Sequence, residues 1–155
     1  MMGILEKTMS NMKLSKFELN IECKKIIEAL NTKQASSRFV GGFVRNYINN
    51  TNTKDIDIAT QLSPDEVIDI LSKVKIRVIP TGIKHGTVSA FINDQSFEIT
   101  TLRKEVRHDG RHSEVIFIDD WYEDASRRDF TINSIYINQN GEIYCLLYTS
   151  PSPRD

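Results

Sequence analysis

Residues 41–60 read GGFVRNYINNTNTKDIDIAT, and this stretch decides the fold class. It predicts a helix that begins at or just after Gly41-Gly42. That helix is predicted to end at Asn49-Asn50, because Asn tolerates the left-handed conformation common at helix C-termini. A short strand over 38–40 precedes the glycines, and a second strand over 55–59 follows the helix. This order of elements indicates an α/β (α+β) domain.

Two carboxylates stand two residues apart in the second strand. Asp55 and Asp57 are predicted to share one face, while Ile56 and Ile58 point the other way into the core. Two ionised carboxylates at this spacing repel each other, and a divalent cation removes that conflict. Such oxygen ligands suit Mg²⁺, which is usually held by one or two carboxylates together with substrate phosphates. The alternative is a surface strand that carries two Asp residues by chance.

The glycines suggest a place for those phosphates. Glycine lets a phosphate approach the backbone closely, and a helix N-terminus points free N–H groups toward it. Arg45, on the first turn of the predicted helix, could add a bidentate contact. A tight turn beside an exposed Arg is the alternative. A phosphate-binding turn followed by a metal-binding strand is the arrangement that a nucleoside triphosphate with Mg²⁺ requires.

A charged stretch, EDASRRDFTINS, occupies residues 123–134. Arg127 or Arg128 could reach a phosphate, and Asp129 could accept a hydrogen bond from a ribose hydroxyl. Asn133 could orient the sugar or the base. On its residues alone, the stretch is better explained as a generic charged helix end.

Capping signals and periodicity predict the remaining elements. Ser15 and Glu18 form a capping box for a helix over 15–31, and Ser63-Pro64 begins a helix that runs to about residue 72. The polar stretch 103–113 predicts a mobile loop. The other predicted elements are strands over 76–79, 87–92, 95–102 and 115–118, helices over 119–128 and near 130–135, and a terminal hairpin of strands over 135–138 and 142–144. We expect a small mixed sheet with helices packed mainly on one side.

Composition limits the class of protein. The chain has 155 residues, 39% hydrophobic and 26% charged, which fits one globular domain. A formal net charge of −1 gives no overall basic surface for nucleic acid. No apolar run approaches the roughly 20 residues of a membrane helix, and no secretory signal is recognised, so the cytoplasm is the predicted compartment. The two cysteines are too few for a disulfide framework or a zinc site, and Cys23 is predicted to be a small buried residue.

The two ends are set apart from the predicted domain, which spans residues 15–144. Residues 1–14 show no periodicity and are expected to be loose. Residues 145–155, CLLYTSPSPRD, resemble the in-frame translation of a sequencing adapter and are excluded from the domain. The chain is then expected to be the N-terminal piece of a longer protein. A natural Ser/Pro-rich terminus is the alternative.

Several ordered motifs resemble those of the N-terminal catalytic head of class II tRNA nucleotidyltransferases, the CCA-adding enzymes related to bacterial poly(A) polymerases. The resemblance covers roughly residues 35–140. The motifs are GGFVRN and DIDIAT within 41–60, KHGTV at 84–88, EITTLR at 98–103, DGR at 109–111 and RRDFTINS at 127–134. Such a resemblance implies a nucleotidyltransferase fold.

The resemblance also implies roles for matching positions. Asp55 and Asp57 would bind two metal ions, with Glu98 as a candidate third carboxylate. The triphosphate would be held by Gly41, Gly42 and Arg45, and Arg128 and Asp129 would recognise the ribose.

The predicted loop over 104–113 would move during the choice between CTP and ATP. Its charged residues could touch phosphate, and a solvated loop is the alternative; they are Arg107, His108, Arg111 and His112. Lys84 and His85 would either be structural or approach the RNA or the nucleotide.

The chain departs from the family pattern in three respects. Asn46 stands where the family usually has Asp, which puts the local orientation of Arg45 in doubt. Asn50 stands where the family often has Gly, and Asn suits the same left-handed position. The base-reading helix of the EDxxR type does not follow Ser134, which we attribute to truncation.

The function implied for the complete protein is addition of C, C and A to tRNA 3′ ends from CTP and ATP with Mg²⁺. Poly(A) polymerase activity, or partial CC- or A-adding activity, is the first alternative. A non-catalytic nucleotide- or RNA-binding module is the second, and the intact Asp55/Asp57 pair argues against it. The sequence does not reveal the oligomeric state.

Overall fold

The structure, a computed structural model, describes residues 8–13, 18–41, 55–108, 110, 112–127 and 135–147. The elements in chain order are β1 (Thr8–Lys13), α1 (Ile21–Leu30), β2 (Ser37–Val40), β3 (Asp55–Thr60), α2 (Pro64–Lys73), β4 (Arg77–Gly82), β5 (Thr87–Ile92), β6 (Gln95–Thr101), β7 (Arg103–His108), β8 (His112–Phe117), α3 (Trp121–Ser126), β9 (Ile135–Ile137) and β10 (Glu142–Leu147).

Eight strands form one sheet in the order β1-β10-β9-β2-β3-β6-β5-β4. β3 and β6 run parallel, and the other neighbours in this sheet are antiparallel. β7 and β8 form a separate two-stranded sheet. The predicted α/β class with a small mixed sheet is confirmed.

Strand alternation gives the large sheet two different faces. Ile56 and Ile58 of β3 are buried, and the side chains between them point to the opposite side of the sheet. Helices α1 and α2 pack over the first side, which we call the helix-covered face. Its core includes Phe39, Phe97 and Ile99, each no more than 1% exposed. We call the opposite side the carboxylate face, because it carries Asp55 and Asp57.

Helix α2 forms as its capping signals predict. The Ser63 hydroxyl accepts a hydrogen bond from the Glu66 backbone N–H at 3.2 Å, and the Glu66 carboxylate accepts one from the Ser63 N–H at 2.9 Å. This reciprocal capping box satisfies two N–H groups that the helix itself leaves unpaired. The buried residues Val67 and Leu71 then face the core.

Helix α1 begins later than predicted, at Ile21 rather than near residue 15. The Asn20 side chain accepts a hydrogen bond from the Cys23 N–H at 2.8 Å, so Asn20 rather than Ser15 is the N-cap. Ser15 lies outside the described residues. Cys23 is buried as predicted. Burial, with a smaller contribution from the charge of Glu22, raises the pKa of its thiol to about 12.

The predicted mobile loop over 103–113 is wrong for the residues that the structure describes. They form the antiparallel hairpin of β7 and β8, paired from Arg103–Phe117 to His108–His112. Gly110 takes a φ of 66°, which permits a tight turn between the strands. The polar composition that suggested a loop reflects a hairpin outside the core, in which Arg107 and Glu114 are exposed.

The ends of the chain also differ from the prediction. Thr8–Lys13 form a strand rather than a loose segment, because they pair in register with β10. β10 continues beyond residue 144 through Leu147, so three residues of the excluded tail take part in the sheet. Backbone hydrogen bonding needs no particular side chains, so sequence periodicity gave no signal for this pairing. The origin of residues 145–155 stays a prediction.

A small apolar cluster covers one part of the carboxylate face. It contains Val40, Ala59, Leu102, Ala125 and Tyr136, and it seats α3 against the sheet.

Arg38 closes the edge of this cluster. Its guanidinium lies between the rings of Trp121 and Tyr144, 4.2 and 3.9 Å from their centroids. Burial lowers the pKa of the Arg38 guanidinium from its ordinary value. These stacked contacts help to fix α3 on the carboxylate face.

Candidate active site

Asp55 and Asp57 lie on the open part of the carboxylate face. Both are exposed, while Ile56 and Ile58 between and after them are buried. The strand alternation predicted from the sequence is therefore confirmed. Ile56 and Ile58 anchor β3 in the core, so the two carboxylates can point toward solvent without reducing core packing.

Strand β6 adds a second row of polar side chains to this face. Asp57 pairs with Glu98, and Asp55 pairs with Ser96, in the parallel register of β3 and β6. Glu98 is exposed. The Ser96 hydroxyl donates a hydrogen bond of 2.6 Å to Oδ1 of Asp55, which orients that carboxylate.

The polar surface continues onto neighbouring strands through hydroxyl pairs. Thr87 and Thr100 hydroxyls lie 3.1 Å apart, and those of Thr81 and Ser89 lie 2.7 Å apart. Ser89 pairs with Glu98 in the β5–β6 register. The open part of the carboxylate face therefore presents oxygen atoms across several strands.

The donor set fits Mg²⁺, a hard cation that prefers carboxylate oxygens and retains several waters. Asp55 and Asp57 would hold it. No group of three or more His, Cys, Asp or Glu side chains suited to a metal ion occurs within the residues that the structure describes. A two-carboxylate site is compatible with a metal bound partly through substrate oxygens. The role of Glu98 as a third carboxylate stays a prediction.

Strand β2 lies between β3, which carries Asp57, and β9, which follows the RRDFTINS motif. Val40 pairs with Asp57 on one side and with Tyr136 on the other. The next residue, Gly41, donates its N–H to the Ile135 carbonyl at 3.3 Å. Ile135 is the first residue after the RRDFTINS motif, so Gly41 and Asp57 lie close to the residue that follows that motif.

Gly41 adopts a φ of 68°, a conformation that favours glycine, and it is buried. This supports the prediction of a special backbone turn after β2. The helix predicted to begin at or just after Gly41-Gly42 and to end at Asn49-Asn50 lies outside the described residues after Gly41, and so do Asn46 and Asn50. The other predicted nucleotide-binding residues also lie outside the described residues: Gly42, Arg45, Arg111, Arg128, Asp129 and Asn133.

The KHGTV motif forms a tight turn before β5. Gly86 has a φ of 82°, and its carbonyl accepts a hydrogen bond from the Thr101 N–H at 2.9 Å. The His85 carbonyl accepts a hydrogen bond from Nη1 of Arg103 at 2.7 Å. These hydrogen bonds fix the backbone of the motif, while the side chains of Lys84 and His85 are exposed.

One buried carboxylate was missed by sequence reasoning. Asp124 of α3 is 0% exposed and accepts hydrogen bonds from the Arg103 N–H at 3.1 Å, the Arg127 guanidinium at 3.2 Å and the Tyr136 hydroxyl at 2.6 Å. Arg127 also donates from Nε to the Arg103 carbonyl at 3.0 Å. The available signal was helical spacing, because Asp124 shares a face with Trp121 and Ala125, which pack on the sheet.

Comparisons with known proteins identify the family. A model described as the Poly A polymerase head domain matches residues 37–147. The chain belongs to the Poly A polymerase head domain family. The matched range includes all strands from β2 to β10 and ends three residues into the tail that the sequence analysis excluded.

Curated relatives of this head domain are named as CCA-adding proteins. The chain is 40% identical over 120 residues to the mitochondrial CCA tRNA nucleotidyltransferase 1 of Danio rerio. This match covers 77% of this chain and 28% of that protein. It is 41% identical over 129 residues to the CCA-adding enzyme of Staphylococcus haemolyticus, covering 82% and 31% of the two chains. The head domain thus spans about three-tenths of the length of these relatives.

A solved structure supports the fold. The CCA-adding enzyme of Bacillus stearothermophilus in complex with CTP matches with a TM-score of 0.63 and 35% sequence identity. The match covers 79% of this chain and 28% of that chain. The nucleotidyltransferase fold expected from the sequence is confirmed. Among the described helices, none is long and apolar enough to cross a membrane.

Proposed function

We propose that this chain is the catalytic head of a tRNA nucleotidyltransferase that adds CCA to tRNA 3′ ends from CTP and ATP. The observation that carries the proposal is the proximity, at the end of β2, of Gly41, the Asp57 strand and the first residue after the RRDFTINS motif. There Val40 pairs with both Asp57 and Tyr136, and Gly41 bonds to Ile135. The names of the relatives, at about 40% identity, support the same reaction.

Asp55 and Asp57 are the proposed metal ligands. When bound, Mg²⁺ supplies charge stabilisation at the α-phosphate and lowers the pKa of the attacking 3′-hydroxyl. Ser96 holds Asp55 in one orientation through its 2.6 Å hydrogen bond. The buried Ile56 and Ile58 keep β3 rigid beneath the carboxylates, so the ligand positions are set before substrate arrives.

The nucleotide is proposed to lie over the end of β2. Gly41, Gly42 and Arg45 would hold the triphosphate, and Arg128, Asp129 and Asn133 would contact the ribose or base. The backbone of Gly41 supports this placement. Its positive φ favours glycine, and the absence of a Cβ leaves room for a phosphate beside the turn. Arg111 is proposed to reach the phosphates from the turn of the β7–β8 hairpin.

The predicted domain over 15–144, together with β1 and the end of β10 that join its sheet, is proposed to be the head of a longer protein. The relatives are more than three times as long as the region they share with this chain, which supports that view. Choice between CTP and ATP, and grip on the tRNA, would then depend on residues outside this head. A cytoplasmic location stays a prediction.

The second candidate is poly(A) polymerase activity. The description of the matching family, Poly A polymerase head domain, favours it as an alternative. Partial CC- or A-adding activity is a variant of the main proposal. A non-catalytic RNA- or nucleotide-binding module is the alternative from another class. The exposed Asp55/Asp57 pair, supported by Ser96, argues for a catalytic site.

The deciding experiment uses the protein extended from its source DNA. tRNA that lacks CCA is supplied with labelled CTP and ATP in the presence of Mg²⁺. We expect addition to stop after three nucleotides. A long A tail would favour the poly(A) alternative, and termination after CC or after a single A would favour a partial enzyme.

The Asp55→Ala variant separates catalysis from simple binding. We expect it to lose incorporation and to bind Mg²⁺–nucleotide more weakly than the parent. No incorporation by the parent, with equal Mg²⁺–nucleotide binding by the variant, would reject the two-metal assignment. The 155-residue chain alone is expected to bind nucleotide weakly and not to synthesise CCA faithfully.

A further inference from the structure

We infer that Asp124 is a positioning residue that fixes both flanks of the nucleotide-binding segment 128–134 and the base of the β7–β8 hairpin. The inference rests on the proposed function, because that function assigns ribose recognition to Arg128 and Asp129. Asp124 itself is fully buried, so it is not accessible to a substrate. It acts through the residues that it holds.

The two flanks of the segment meet at one carboxylate. Arg127, which directly precedes the segment, donates from Nη2 to Oδ1 of Asp124 at 3.2 Å. Tyr136, one residue after the start of β9, donates its hydroxyl to Oδ2 at 2.6 Å. Arg127 and Tyr136, one on each side of residues 128–134, are therefore hydrogen-bonded to the same carboxylate.

The attachment to Tyr136 links β9 to α3 in addition to its backbone pairing in the sheet. β9 is three residues long and pairs with β10 through three residue pairs and with β2 through two. Those pairings fix the backbone of β9 within the sheet but do not connect it to α3. The hydroxyl–carboxylate bond supplies that connection.

The hairpin is held by the same carboxylate. The Arg103 N–H donates to Oδ1 of Asp124 at 3.1 Å, and the Arg103 carbonyl accepts from Nε of Arg127 at 3.0 Å. These two bonds bracket the first residue of β7. A second contact, Lys104 to Glu123 at 3.3 Å, is partly exposed and contributes less.

The charge of Asp124 is needed for this role. A carboxylate accepts from all three donors at once, and a buried charge keeps that state only when it is paired and hydrogen-bonded. An Asn side chain has one oxygen acceptor and an NH₂ donor. Its NH₂ could face the Tyr136 hydroxyl, which can accept, so Asp124→Asn keeps the volume and much of the geometry but weakens the hold on Arg127.

The test measures binding of Mg²⁺–CTP and Mg²⁺–dCTP by the 155-residue chain at millimolar nucleotide, by calorimetry or NMR titration. In Asp124→Asn we expect the Kd for CTP to rise about tenfold, the size of effect typical when a residue that orients a binding group is lost. The Kd for dCTP should change little, because dCTP lacks the 2′-hydroxyl that Arg128 and Asp129 are proposed to recognise. Tyr136→Phe releases one flank only, so its effect on CTP should be smaller and in the same direction.

Val67→Ala is the matched control. Val67 is 1% exposed and belongs to α2 on the opposite face of the sheet. It should lower Tm and leave the CTP/dCTP ratio unchanged at a temperature where all variants are folded. A ratio in Asp124→Asn and Tyr136→Phe equal to that of Val67→Ala would overturn the inference, because Asp124 would then be purely structural. No binding of either nucleotide by the parent would instead overturn the proposed nucleotide site and, with it, this role.

Discussion

The two faces of the eight-stranded sheet are built from the same strands and have opposite properties. On the helix-covered face, residues such as Ile58, Phe97 and Ile99 are almost completely buried beneath α1 and α2. On the carboxylate face, Asp57 and Glu98 are exposed neighbours of those residues. Alternation along a strand thus lets one side provide stability while the other carries polar chemistry. Changes on the two faces should therefore separate stability from activity.

The largest expected effect is on activity and comes from Asp57→Ala. Losing a metal ligand removes several kcal/mol of transition-state stabilisation, or on the order of 10³-fold in rate. Tm should fall far less than in a core variant, because Asp57 is exposed and lies outside the buried core. Steady-state incorporation of CTP by the extended protein and thermal melting of the 155-residue chain test the two parts.

Asp69→Ala is the matched control for that variant. Asp69 lies on α2 and forms a 3.1 Å ion pair with Lys73, in which both side chains are more than 60% exposed. Its removal should leave incorporation unchanged. Equal losses of activity in both variants would remove the distinction between the two faces.

Phe97→Ala should have the largest effect on stability. Phe97 is 0% exposed on the helix-covered face, and deleting a buried aromatic ring costs about 3–5 kcal/mol. That is a large share of the roughly 5–15 kcal/mol available to a domain. Urea unfolding measures the loss. A change below about 1 kcal/mol would contradict the close packing of this face.

Gly86→Ala should cost about 1–2 kcal/mol, because the φ of 82° is unfavourable for a residue with a Cβ. The new Cβ would lie 2.7 Å from Cε1 of Phe117, but that side chain is 42% exposed and its ring can move. Most of the cost is therefore in the backbone. Adding Phe117→Ala should recover little of it in urea unfolding, and full recovery would show that the ring contact dominates.

The smallest expected effect comes from Ser96→Ala, which removes the hydrogen bond to Asp55. A bond of this kind is worth about 0.5–1.5 kcal/mol, so Mg²⁺ affinity should fall about two- to tenfold. Thr100→Val is the control, because its hydroxyl bonds to Thr87 on the same face. Calorimetric titration with Mg²⁺ that gives equal affinities for these two variants would exclude a specific role for Ser96.

Local signals in the sequence predicted much of the fold and the centre of the site. The helix start at Ser63-Pro64, the strands over 87–92 and 95–102 and the alternation in β3 depend on neighbouring residues, and each is confirmed. Glu98 could be placed near the Asp pair only through the family motifs. The register that sets it beside Asp57 is a contact between distant parts of the chain.

The features that sequence did not predict depend on long-range contacts. β1 forms a strand because β10 supplies its hydrogen-bonding partners. The β7–β8 hairpin has a polar composition, and its base is fixed by Asp124, which lies beyond it in the chain. Asp124 was read as part of a charged helix end, because two of its donors, the Arg103 N–H and the Tyr136 hydroxyl, lie on strands distant in sequence.

The pairing of β1 with β10 has a consequence for synthesis. Asn11 pairs with Tyr144, so β1 is made long before its partner. At about 5–20 residues per second, the nascent chain carries an unpaired strand for on the order of ten seconds. An unpaired strand edge is a template for pairing with other chains. We therefore expect β1 to lack its pairing partner during synthesis until β10 leaves the ribosome.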